Sequence, residues 1–172
     1  VLGGLVGTIL GGYLADRRGH GSTKANIEVG IAGFVAAAVF VSLALVAPLK
    51  LGPVPLFVPV FFLAVVSLYL HSGPFTAVSQ DVVSPALRAS AVTLLLFVSH
   101  VFGDSHSTAD VGWLSDRLGS LQLALLITSG PLCLVAAYLG WRGLRHADAD
   151  QAVMEEGWAH REAPAPAPAA AS

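Results

Sequence analysis

The side chains of this chain that could do chemistry gather in a few places. His71 lies inside the stretch Leu51–Gln80, which holds no Asp, Glu, Lys or Arg, and it is followed closely by Gly73-Pro74. On a helix, Ser67, His71, Phe75 and Val78 fall on one face. A polar group in such a stretch is costly in a membrane and marks a functional site by default. This face is therefore a candidate for substrate contact, with a histidine bonded to a neighbouring helix's backbone as the structural alternative. His100 and Asp104 stand four apart and could form a protonatable relay, because histidine titrates near neutral pH. They could equally hold their helix against another part of the protein. Ser105, His106 and Asp110 have the residue types of a hydrolase, yet the chain has neither G-x-S-x-G nor H-E-x-x-H. Neighbours on one short segment rarely form a triad, so no catalytic residue is assigned. Nothing elsewhere completes a metal site with Asp104, His106 and Asp110, and there is no P-loop, so no metal or cofactor is expected.

Charge pairs recur in a pattern. Gly12-Tyr13-Leu14-Ala15-Asp16-Arg17-Arg18-Gly19 and Gly112-Trp113-Leu114-Ser115-Asp116-Arg117-Leu118-Gly119 share the form G-x-L-[AS]-D-R-x-G, each after an apolar run. Glycine permits close helix approach, the aspartate suits the positive end of a helix, and the arginine stays at the head groups. The two copies lie three crossings apart and so face opposite sides of a membrane, the arrangement of an inverted repeat. Asp81 and Arg88 flank another turn. They form either a gate that changes partners or a local ion pair worth about 0–1 kcal/mol.

The elements that must position these groups follow from composition. The chain is 172 residues long, 55% hydrophobic and only 12% charged, with a mean hydropathy of +0.72. Soluble domains carry about 25% charged residues, so lipid is the solvent this composition suits. A net charge of −2 argues against a nucleic-acid partner, and the single cysteine, Cys133, rules out a disulfide framework. The fold expected is all-α, with transmembrane helices at about 27–49, 56–80, 85–112 and 118–141. Residues 1–15 read as the end of a further, truncated helix, since about 20 residues are needed to span. Pro74 should kink its helix or loosen its bonding. Ser84 and Pro85 read as an N-cap and first helical residue. Residues 1–146 thus form a transmembrane bundle, and 147–172, ending in Ala/Pro repeats, a disordered cytoplasmic tail. Placing the first loop in the cytoplasm puts Arg17, Arg18, Lys24, Arg88, Arg142, Arg145 and Arg161 inside and only Lys50 and Arg117 outside, which obeys the positive-inside bias. The expected location is a cell membrane, of the bacterial inner-membrane kind, crossed several times.

Gly11 to Gly19, GGYLADRRG, resembles the loop motif between the eighth and ninth helices of the major facilitator superfamily. Residues 80–119 resemble its spinster-like branch, through Asp81-Val82-Val83, Pro85, Leu87-Arg88-Ala89, Ser99-His100, Gly103-Asp104 and Gly112-Trp113-Leu114-Ser115-Asp116. The run Ser105-His106-Ser107-Thr108 departs from that branch's usual Ser-Pro. The resemblance implies a partial facilitator-type bundle, from the end of the eighth helix to the twelfth. It makes Gly12, Asp16, Arg17, Gly19, Asp116 and Arg117 motif residues, Asp81 and Arg88 gate residues, and the helix of His71 a wall of the central cavity. The implied function is alternating-access transport of a small organic or lysolipid-like amphipathic solute. The implied partners are membrane lipid, that solute and a missing N-terminal half of the same protein. Another facilitator branch, carrying organic acids or drugs, and a membrane scaffold or channel subunit are the competing readings.

Overall fold

The computed structural model describes residues 1–19, 22–46, 50–51, 54–81 and 83–162. Its elements are α1 (Leu2–Gly19), α2 (Thr23–Val46), a two-stranded ribbon of β1 (Lys50–Leu51) and β2 (Val54–Pro55), α3 (Phe57–Tyr69), α4 (Ser72–Asp81), a 3₁₀ turn (Pro85–Leu87), α5 (Arg88–Val98), a π-helical segment (Ser99–Asp104), α6 (Ser105–Leu118) and α7 (Leu121–Glu162). The strands pair antiparallel, Lys50 with Pro55 and Leu51 with Val54. Among the described residues, four stretches are long and apolar enough to cross a membrane: Thr23–Val46, Phe57–Asp81, Pro85–Leu118 and Leu121–Ala147. The expected all-α membrane architecture of four full crossings and a shorter first helix is what is found, the ribbon being a turn between crossings. Gly52 and Pro53, part of the turn expected there, lie outside the described residues.

Helix α1 buries Gly3, Gly7, Gly11 and Ala15, one residue per turn along a single stripe. Membrane helices gain little from burying apolar surface, so close backbone approach is what binds them. A Cβ placed on Gly7 or Gly11 would run into the carbonyl oxygens of Val66 and Leu70. The contact at Leu70 has a covalent cause. Pro74 has no N–H to give to the carbonyl four residues before it, and the helix breaks at Leu70–His71. Leu70 N–H donates instead to Ser67 O at 3.3 Å, and the ladder resumes where Phe75 N–H donates to His71 O at 2.9 Å. The proline expected to disturb this crossing does so one turn ahead of itself.

Helix α2 packs on α3 and α4 on one side and on α7 on the other. A Cβ on Gly33 would lie 2.9 Å from Ser67 O, and one on Gly30 would meet the Phe75 ring. Cys133 is buried with Ala37 and Ala38, and the Gln122 side-chain amide donates to Leu45 O. The crossing Pro85–Leu118 differs from all of these, since none of its described side chains is buried. Ser84 is extended and precedes Pro85 as expected, but its hydroxyl makes no capping bond, and the first turn closes through Leu87 N–H to Ser84 O at 2.8 Å.

Two boundaries differ from the sequence expectation. The crossing expected over 85–112 continues to Leu118, because 113–118 has no glycine or proline to stop it. The tail expected to lack structure from 147 is helical to Glu162. Ala, Gln, Met and Glu dominate 147–156, and these residues favour helix whatever surrounds them. Residues 163–172 lie outside the described residues.

Candidate functional site

The break at Leu70–His71 turns the His71 side chain toward α2. Its ring stacks on Phe34, with centroids 4.6 Å apart and planes 29° apart, and meets Phe75 edge-on at 5.5 Å and 74°. Phe34 and Phe75 complete the trio at 6.0 Å. His71 Nδ1 lies 2.5 Å from Leu68 O. A carbonyl only accepts, so Nδ1 carries the hydrogen, and in the neutral ring Nε2 presents a lone pair. The ring is thereby held by two aromatic contacts and one backbone bond while keeping an acceptor for a ligand.

These rings form one wall of a cleft of about 560 Å³. Ser72 and Thr76 continue the wall along α4, and Leu95, Leu96, Ser99 and His100 close it from the next crossing. The hydroxyls of Thr76 and Ser99 donate to Ser72 O and Leu95 O, each at 2.8 Å. His100 Nδ1 is 2.8 Å from Leu96 O, which places a hydrogen on that nitrogen, as in His71. Its π-helical segment is a distortion frequent at functional sites. The volume lies within the range of small-molecule sites. Among the described residues its lining is aromatic faces, hydroxyls, imidazoles and leucines, a surface that can bind a donor-bearing amphipath.

The structure gathers some of the expected residues and separates others. His71, Phe75 and His100 share the cleft. Ser67 is buried with its backbone against Gly33 and does not line it. The side chain of Asp104, expected to pair with His100, lies outside the described residues. Asp81 and Arg88 are both exposed, and no ion pair joins them among the described residues. In the first motif copy, Arg17 Nη1 donates to Tyr13 Oη at 3.1 Å, Asp16 is exposed, and Gly12 lies beside Gly73, whose Cβ would come 3.6 Å from its nitrogen. A Cβ on Gly19 would lie 2.6 Å from Ala25 Cβ, so this glycine admits the tight return into α2. In the second copy, Arg117 lies over the Trp113 ring, 4.8 Å from its centroid, and Asp116 is exposed like Asp16. Phe34 was not read from the sequence, because one-helix periodicity cannot see a partner on another helix. Its signal was a large ring alone among small residues in Val29–Ala38.

A bundle of four crossing helices with a polar-aromatic cleft between them defines a multi-pass membrane protein. The chain is 29% identical over 137 residues to the "Probable sphingolipid transporter spinster homolog 3" of Arabidopsis thaliana, a match covering 80% of this chain and 26% of that protein. The chain thus spans about a quarter of the length of this curated relative. The likeness supports a relationship to the spinster-like branch. No protein-family model and no solved structure matches.

Proposed function

We propose that this chain forms part of a secondary transporter that moves an amphipathic solute by alternating access, with the Phe34–His71–Phe75 cleft as a solute-contacting wall. The observation that carries the reading is a histidine held by two rings and a backbone carbonyl, inside a crossing helix, with its second nitrogen left for a ligand. The similarity to a protein named as a probable sphingolipid transporter supports an amphipathic solute. Transport of this kind needs two halves rocking about a midplane site. The helix Pro85–Leu118, with no described side chain buried, is read as the face that meets the other half. Its first loop, Arg88 and the end of α7 are read as cytoplasmic, following the distribution of Lys and Arg.

The test uses the full-length protein in vesicles loaded on one side with a single-chain lysolipid. His71→Ala is expected to raise the apparent KM about tenfold, which corresponds to one lost hydrogen bond and its ring contacts at roughly 1.4 kcal/mol. His71→Phe keeps the rings and should recover folding without recovering affinity. Unchanged rate and unchanged apparent affinity in His71→Ala would reject the site.

A further inference from the structure

One stripe of the crossing Phe57–Asp81 changes character along its length. Phe61, Val65 and Leu68 line a cavity of about 350 Å³ between α2, α3 and α7. Ser72 and Thr76, the next residues on the stripe, line the ring cleft. Leu68 borders both spaces, and its carbonyl holds His71 Nδ1, so the two adjoin at this residue. Opposite it, α2 runs the same gradient: Phe34 faces the cleft, whereas Val41 and Leu45 face the cavity. Among the described residues the cavity lining is otherwise apolar, interrupted by the side chains of Ser129 and Cys133.

An apolar cavity offers nothing to hold water. Within crossing helices, the apolar matter at hand is alkyl chain. The stripe from Phe61 to Thr76 rises about 22 Å at about 1.5 Å per residue. One leaflet contributes about 15 Å to a hydrocarbon core of about 30 Å. The part that lines the cavity, Phe61 to Leu68, accounts for about 10 Å of that rise, much of one leaflet's alkyl depth, with Ser72 and Thr76 at the head-group end. One cavity beside one cleft suits one chain.

We infer that the cavity behind Leu68 is the tail subsite of the cleft, taking the alkyl chain of a single-chain amphipath whose head group lies at His71. This rests on the transport reading above and adds where the chain goes. Leu68 is the side chain that must turn aside for the chain to pass. Phe61 and Leu45, which line the cavity away from the cleft, are where the subsite would limit chain length.

The test compares octanoyl and palmitoyl lysophosphatidylethanolamine as transported solutes of the full-length protein in vesicles. Ser129→Phe fills the cavity from α7, and Val41→Phe fills it from α2. Each is expected to lower the palmitoyl-to-octanoyl transport ratio about tenfold, the low end of what a hydrophobic pocket discriminates by size. Ser129→Ala should leave the ratio unchanged. Retained octanoyl transport shows that a variant is folded, and either variant that retains it decides the matter. An unchanged ratio, with both solutes carried, overturns the subsite and leaves the transport reading standing. Failure of the unsubstituted protein to carry either solute overturns the transport reading and the subsite with it.

Discussion

Residues 12–19 and 112–119 carry one pattern at the ends of two helices that the rest of the molecule treats differently. Helix α1 is pressed against α3 and α4 through Gly3, Gly7, Gly11 and Ala15. The corresponding positions of the second copy are Gly103, Ser107, Val111 and Ser115, on a crossing where no described side chain is buried. Both copies nevertheless end the same way, with an aromatic residue and an arginine four apart in contact and a glycine after them. The motif thus builds a helix end, and the packing of the helix body is written upstream of it, in the small residues.

The largest expected effect separates body from end by exchanging equivalent residues. Gly11→Val puts the second copy's residue into the first, where any Cβ meets the Leu70 carbonyl. Backbone cannot swing aside as a side chain does, so the cost should be about 1–3 kcal/mol. It should appear as a lowered thermal midpoint in detergent. The reverse exchange, Val111→Gly, removes a half-buried side chain and should cost no more than about 1 kcal/mol in helix propensity. Equal losses from the two exchanges would mean that the bodies are packed alike.

The crossings were legible because lipid leaves uncharged runs that no soluble helix of this length would tolerate, as in Val29–Leu49 and Leu118–Trp141. The helix break was legible as chemistry, from Gly73-Pro74, but its place was not. Proline frees the carbonyl one turn back, so the side chains after Leu70 turn away from the register that 67–71–75 spacing assumes. That is why Ser67 packs beside Gly33 while His71 and Phe75 open onto the cleft. Phe34 and the cavity behind Leu68 needed α2 and α7 to be placed, and local pattern does not place them. The helix from Ala147 to Glu162 was not legible because the Ala/Pro run that follows it set the reading for the whole tail, whereas its own residue types favour helix.

A smaller effect tests how the two ends stop. Gly119 has φ +64°, a left-handed conformation that costs other residues about 1–2 kcal/mol. Gly19 carries no such requirement; its Cβ is excluded by Ala25. Gly119→Ala and Gly19→Ala should therefore both destabilise, for reasons that a second substitution distinguishes. Ala25→Gly is expected to restore the thermal midpoint of Gly19→Ala. No trimming of a neighbour should restore Gly119→Ala, since nothing lies within 4 Å of its Cβ position; Gly119→Asn should be tolerated better than Gly119→Ala, because asparagine enters the left-handed region more readily. Rescue of neither glycine, or of both by neighbour trimming, would erase the distinction between the two stops.

The smallest effect bears on what the copies share. Arg17 donates to the Tyr13 hydroxyl, and Arg117 lies over the Trp113 ring. The chemistry differs, yet the magnitudes converge: an exposed hydrogen bond nets about 0.5–1.5 kcal/mol and an exposed cation–π contact about 0.5–1 kcal/mol. If the pattern preserves an aromatic–arginine clasp rather than one kind of bond, double-mutant cycles of Tyr13→Phe with Arg17→Ala and of Trp113→Ala with Arg117→Ala should both return coupling of about 0.5–1 kcal/mol. Trp113→Tyr should then keep most of the second coupling, since a tyrosine offers both a face and a hydroxyl to the same guanidinium. Coupling confined to one copy would reduce the shared aromatic to a head-group anchor at the other, where Tyr and Trp are favoured with no arginine beside them. The helix α7 offers an internal reference for that outcome: Arg145 lies 4.5 Å over Trp141 with the same spacing but outside any G-x-L-x-D-R-x-G pattern. A coupling there equal to the other two would assign the clasp to the membrane boundary itself, leaving Asp16, Asp116 and the glycines as what distinguishes the repeated motif.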